Sequence, residues 1–128
     1  RRVLFRSLHV TEGLENALAV MQTIGKPVWP CVNSTLLGLV EPPKGVKRIV
    51  DWSDKDREKV IRGKTYRAGT DAAIKLSNRM ISRGIDVMPL FPSDEIPEGE
   101  KSVDWNDVLI RHGESAFPSD KVIRTMFM

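Results

Sequence analysis

The chain predicts an α/β fold, a four-stranded parallel sheet in the order 2-1-3-4 with helices on both faces. Two observations predict it. Short apolar runs alternate with stretches of helical period in the order strand, helix, strand, short helix, strand, helix, strand, helix, as in strands joined by crossovers. Pro30 and Pro89 fall inside the second and fourth strand candidates, and because proline cannot donate to a ladder both strands belong at sheet edges. Strands one and three are then central neighbours. Their ends open on the crevice where the winding reverses, the position that ligands prefer in such sheets.

Each element has a local reason. Leu8-His9-Val10 is a short first strand, followed by Thr11 as a helix N-cap and by Glu12 and Glu15 near the first turn. Leu14, Ala17, Leu18 and Met21 recur at helical spacing and mark the apolar face of a helix that Gly25 ends. Pro27 to Val32 is the second strand, and Asn33-Ser34-Thr35 caps a short apolar segment from Leu36 to Val40 before Pro42, Pro43 and Gly45 break the chain. Val46 to Trp52 is the third strand. The stretch from Arg57 to Arg67 is rich in Lys and Arg with no apolar period, which predicts an exposed, mobile basic loop. Thr70 to Arg83 is a helix with Ala73, Leu76 and Met80 on one face, stopped by Gly84. Ile85 to Phe91 is the fourth strand and Pro92 to Ser102 an acidic loop. Asp104 then caps a short helix whose apolar side is Val108, Leu109 and Ile110, with His112 at its cation-favouring end.

Composition narrows the classes. With 128 residues, 41% hydrophobic and 29% charged, the chain supports one globular core and is not a disordered segment. No apolar stretch approaches a membrane span, so no membrane partner is expected. The single cysteine, Cys31, excludes an intrachain disulfide or a zinc site of several cysteines, and a reducing cytoplasm is the simplest setting. A net charge of +3 permits contact with nucleic acid without requiring it.

Three segments follow. Residues 1–7, Arg1-Arg2-Val3-Leu4-Phe5-Arg6-Ser7, resemble the translation of a sequencing-adapter end, with a native basic lead as the alternative. Residues 8–113 are expected to form the folded domain that carries the candidate catalytic site. Residues 114–128 form a tail whose apolar positions, Phe117, Val122, Ile123, Met126 and Phe127, either pack across the sheet or await another domain.

The chemistry concentrates where strand three turns into Ser53-Asp54-Lys55-Asp56. Asp54 and Asp56 stand one residue apart, so their carboxylates can face one hard cation, while a polar turn with acidic caps is the plainer alternative. Glu12 leaves strand one beside them. It sits at the strand end itself, a site position, whereas Glu15, one turn in, suits the helix dipole. Asp104 and Asp107 lie three apart, close to one helix face. The cations Lys55, Arg57, Lys59, Arg62, Lys64 and Arg67 form a basic segment, either simply solvated or in contact with phosphates.

The motifs Thr-Glu-Gly-Leu-Glu-Asn-Ala-Leu, Trp-Ser-Asp-Lys-Asp and Asp-Trp-Asn-Asp-Val-Leu, in this order, resemble the toprim domain shared by topoisomerases and primases. The version in primases and primase-helicases of phages, plasmids and other mobile elements is the most similar. The resemblance covers about Leu8 to Arg111. It implies magnesium, with manganese as a substitute, and phosphodiester chemistry. By position, Glu12 corresponds to the family's glutamate, which implies a general acid or base or a metal ligand, with a helix-start carboxylate as the plainer alternative. Asp54 and Asp56 correspond to its metal-binding pair, and Asp104 with Asp107 to its late acidic motif. The sequence departs from the family in a longer basic stretch after Asp56 and in Asn16, where threonine is common. The function so implied is nucleotidyl transfer in RNA-primer synthesis, on a single-stranded DNA template with nucleotides and a replicative helicase domain or protein as partners. A nuclease or topoisomerase module and a non-catalytic nucleic-acid-binding module are the alternatives. No zinc or helicase motif accompanies the acids, so these residues alone are expected to synthesise little or no primer.

Overall fold

The computed structural model describes residues 7–127. Residues 1–6 of the adapter-like segment lie outside the described residues, and Ser7 opens the first strand. The elements run β1 (Ser7–Thr11), α1 (Leu14–Ile24), β2 (Val28–Pro30), α2 (Ser34–Leu37), β3 (Arg48–Trp52), β4 (Lys55–Asp56), β5 (Lys59–Ile61), β6 (Lys64–Tyr66), α3 (Ala68–Ile81), β7 (Asp86–Leu90), β8 (Ser102–Val103), α4 (Trp105–His112), a 3-10 turn (Glu114–Ala116) and α5 (Asp120–Met126).

The main sheet has the order β2-β1-β3-β7, with every pairing parallel. This is the predicted order. Pro30 and Pro89 lie on the two edge strands, where a missing donor costs no ladder bond. Alternation along β1 and β3 divides the core in two. On one face Val50 and Trp52 pack with Ala17 and Val20 of α1, with Trp105 and Val108 of α4, and with Phe117 and Ile123 of the tail. On the other, Leu8, Val10 and Ile49 pack with Leu37 of α2 and with Leu76 and Met80 of α3. No helix among the described residues is long and apolar enough to cross a membrane.

Trp52 is the hub of the first face. Its ring meets Trp105 edge-on at 5.0 Å between centroids, and Phe117 lies 5.9 Å away. Its indole N–H donates to His9 Nδ1 at 3.0 Å, which places the proton of a neutral imidazole on Nε2. Burial, with the charge of Lys26 adding and that of Asp120 opposing, lowers the His9 pKa to about 4. The tail therefore packs across the sheet, the first of its two expected fates.

The structure corrects the sequence reading in four places. Thr11 ends β1 instead of capping α1; Gly13 holds the cap position, and the Thr11 hydroxyl donates to the Gly13 carbonyl at 2.9 Å. The inward face of α1 is Asn16, Ala17, Ala19 and Val20, whereas Leu14, Leu18 and Met21 are exposed. The small residues face inward because α1 packs close to the sheet, and Asn16 has polar partners there. The segment from Arg57 to Arg67 is not a loop without structure. Its centre is the antiparallel β5–β6 hairpin, turning through Arg62 (φ 53°) and Gly63 (φ 78°), both in the left-handed region that two-residue hairpin turns need. On α4, Val108 is buried but Ile110 is 75% exposed, because it points away from the sheet.

Candidate functional site

Glu12 stands between the end of β1 and the start of α1, and Asp54 follows β3, the central neighbour of β1. The predicted crevice therefore makes the two neighbours, and Glu12 is among the groups that raise the Asp54 pKa. The turn after β3 is held by Ser53, whose N–H donates to the Leu90 carbonyl at 2.9 Å. Lys55–Asp56 then pairs antiparallel with Ser102–Val103, carrying the chain from the main sheet towards the start of α4.

Four of the acids, Asp54, Asp56, Asp104 and Asp107, are each fixed by one oxygen. Asp54 Oδ1 accepts from the Asn16 side-chain amide at 3.0 Å. Asp56 Oδ2 accepts from the Gly69 N–H at 2.6 Å, in the first turn of α3, where the helix dipole favours a carboxylate. Asp104 and Asp107 form a reciprocal capping box on α4, with Asp104 Oδ1 accepting from the Asp107 N–H at 2.8 Å and Asp107 Oδ2 from the Asp104 N–H at 3.0 Å. Glycine is required at position 69: a Cβ there would lie 2.5 Å from the Asp54 carbonyl oxygen.

The site is strongly acidic. Burial first, then the hydrogen bond with Glu12, then the charges of Glu12, Asp104 and Asp56 push the Asp54 pKa up to about 8. Asp104 is also raised, by burial foremost and by the charges of Asp107 and Glu15, against the backbone bond from Asp107. A cation placed among these carboxylates would remove the repulsion that raises them. The donors fit magnesium, which takes hard oxygen ligands and keeps several waters. They do not form a closed protein cage: among the described residues no three acids, histidines or cysteines are grouped as ligands of one ion.

The basic segment divides. Lys55 Nζ donates to the Asp94 carbonyl at 2.6 Å, and Arg57 donates to the carbonyls of Glu100, Pro97 and Ile96 at 2.7, 2.8 and 3.0 Å. These two pin the loop of residues 91–101. Lys59, Arg62 and Lys64 stand exposed on the hairpin and Arg67 at its exit. His112, at the end of α4, meets Asp94 Oδ2 at 2.9 Å and holds the Asp94 carboxyl below its ordinary range.

Two residues of the site were given no role by sequence reasoning. Asn16, noted there only as a departure from the family's threonine, is buried and joins three parts of the site, since its carbonyl oxygen also accepts the Asn106 N–H at 3.0 Å. Asp51, inside β3, is fully buried, and among the described residues neither carboxyl oxygen has a hydrogen-bond partner. Burial raises its pKa to about 7, with nearby Ser53 opposing and the charge of Glu12 adding. The Cys31 thiol is pushed up to about 11 by burial and by Asp51, which leaves it unreactive as a nucleophile.

Comparison with curated proteins and with solved structures gave no match. Residues 7–115 match the Toprim domain family, a span that includes Glu12, both members of the Asp54/Asp56 pair, and the Asp104/Asp107 capping box. On that match and this geometry, the chain belongs to the toprim family, whose members are metal-dependent modules of proteins that process nucleic acids.

Proposed function

We propose that the chain is the toprim module of a DNA primase, joining ribonucleotides into an RNA primer on a single-stranded DNA template during replication of a phage, plasmid or other mobile element. The supporting observation is the convergence of Glu12 and Asp54 at the ends of the paired central strands β1 and β3, with the charges of Asp56 and Asp104 also bearing on Asp54. The preference for primer synthesis rests on the first motif, Thr11 to Leu18, and on Asp104-Trp105-Asn106-Asp107, both of which resemble the mobile-element primases. A replicative helicase domain or protein is the partner that this role implies.

Magnesium, or manganese in its place, would be held by Asp54 and Asp56 with Asp104 and Asp107 nearby, and would supply neutralisation of charge on the phosphate oxygens. The residues do the rest. Glu12 takes the proton of the attacking 3′-hydroxyl as that oxygen bonds to the α-phosphorus of the incoming nucleotide, and the bond to pyrophosphate breaks with its electron pair. Asn16 and Gly69 hold Asp54 and Asp56 at their stations.

The test is made in the complete parent protein, with single-stranded DNA, labelled ribonucleotides and magnesium. Metal-dependent incorporation that Glu12→Gln abolishes is the expected result. Strand cleavage without incorporation would overturn the primase reading in favour of a nuclease or topoisomerase module. Binding without either reaction would overturn it in favour of a non-catalytic module.

A further inference from the structure

Among the described residues, nothing covers the β5–β6 hairpin. Every residue of both strands is exposed, including Val60 at 68%, Ile61 at 55% and Tyr66 at 41%. A lone two-stranded hairpin is at best marginally stable in water, so this one gains from something lying against it. Its register sorts the side chains. Lys59 opposes Tyr66 and Ile61 opposes Lys64, and opposed residues share a face, so two ammonium groups flank one aromatic ring and one aliphatic side chain. Arg62 adds charge at the tip and Arg67 at the exit, with no acid between positions 59 and 67.

The hairpin leads to the acidic site. A groove of about 590 Å³, lined by Asp56, Arg57, Arg67, Thr70 and Phe91 among others, runs from its base to the residue that anchors on α3. The groove carries Lys55, Arg57 and Arg67 against two carboxylates, Glu58 beside the hairpin and Asp56 at the inner end, an excess of cations that suits a polyanion.

We propose that this hairpin binds single-stranded nucleic acid, with a base stacked on Tyr66 and the flanking phosphates on Lys59 and Lys64, and delivers the strand along the groove to the acidic site. An exposed ring takes a base face, which a single strand offers and a duplex conceals. Lysine supplies a point charge to phosphate and reads no sequence, so binding is indifferent to base order. The inference rests on the proposed function only in that the acidic site works on phosphates.

The test is fluorescence anisotropy of the 128-residue chain with a labelled oligothymidylate strand in EDTA, where the metal site plays no part. Tyr66→Ala should weaken binding by roughly 5- to 150-fold, the range for losing one stacked base, and Tyr66→Phe should restore it. Lys59→Gln with Lys64→Gln should make the salt dependence shallower by about 1.4 in log–log slope, the loss of two phosphate contacts on a single strand. All these positions are exposed, so unchanged circular dichroism is expected in each variant. Unaltered affinity in the variants would overturn the inference, as would equal affinity for the duplex or binding to phosphatidylserine vesicles in place of the strand. Loss of primer synthesis in the parent with strand binding intact would remove only the primase reading; intact synthesis with hairpin-independent binding would remove only this one.

Discussion

Asn16 donates its side-chain amide to Asp54 Oδ1 at 3.0 Å, and its own carbonyl oxygen accepts the Asn106 N–H at the same distance. One buried amide thereby joins the acid after β3 to the start of α4. Asn16→Ala leaves that N–H without its acceptor and releases Asp54. A loss of about 1–3 kcal/mol is expected in urea unfolding, together with a weaker magnesium response.

Gly69 carries the other acid. Gly69→Ala drives a methyl group against the Asp54 carbonyl, 2.5 Å from the Cβ position, and disturbs the bond from Gly69 N–H to Asp56. It should destabilise the fold by about 1–3 kcal/mol through overpacking. Gly13→Ala, with nothing within 4 Å of its Cβ position, is the control and should change much less.

Phe117 makes the tail part of the domain, stacked 5.0 Å from Trp105 and 5.9 Å from Trp52. Phe117→Ala should cost about 3–5 kcal/mol by denaturant titration. A cost near zero would mean that residues beyond 113 pack only incidentally.

Two buried groups should give stability opposing pH dependences. The folded pKa of His9 lies near 4, below its ordinary 6.5, so its contribution is present above pH 6.5 and is lost as pH falls through 4. That of Asp51 lies near 7, above its ordinary 3.8, so its contribution is complete below pH 3.8 and is lost as pH rises through 7. Asp54 acts in the same direction as Asp51, up to about pH 8. Melting temperatures from pH 4 to 8 should show a decline that Asp51→Asn reduces over the part ending near pH 7. An identical decline in that variant would place the titration elsewhere.

The sheet order was legible because Pro30 and Pro89 restrict where two strands can sit, and the meeting of Glu12 with Asp54 followed from that order. The Asp104 cap was legible because capping is local in sequence. The face of α1 was not. Large apolar residues suggested burial at Leu14, Leu18 and Met21, whereas close packing on the sheet selects small ones and the site selects Asn16. The hairpin was hidden by its charge: β-branched and aromatic residues on either side of Arg62-Gly63 carried the turn signal, but no buried face gave the strands an alternation. Asp51 had no signal, since a lone acid in a buried strand leaves the apolar run otherwise intact.

The acidic site is tested most directly by titrating magnesium or manganese into the metal-free chain and following its thermal stability. The unaltered chain should gain stability saturably, because a ligand that binds only the folded state stabilises it in proportion to its occupancy, and Asp54→Asn with Asp56→Asn should abolish the gain. An equal gain in the double variant, or none in the unaltered chain, would contradict a metal site at these carboxylates.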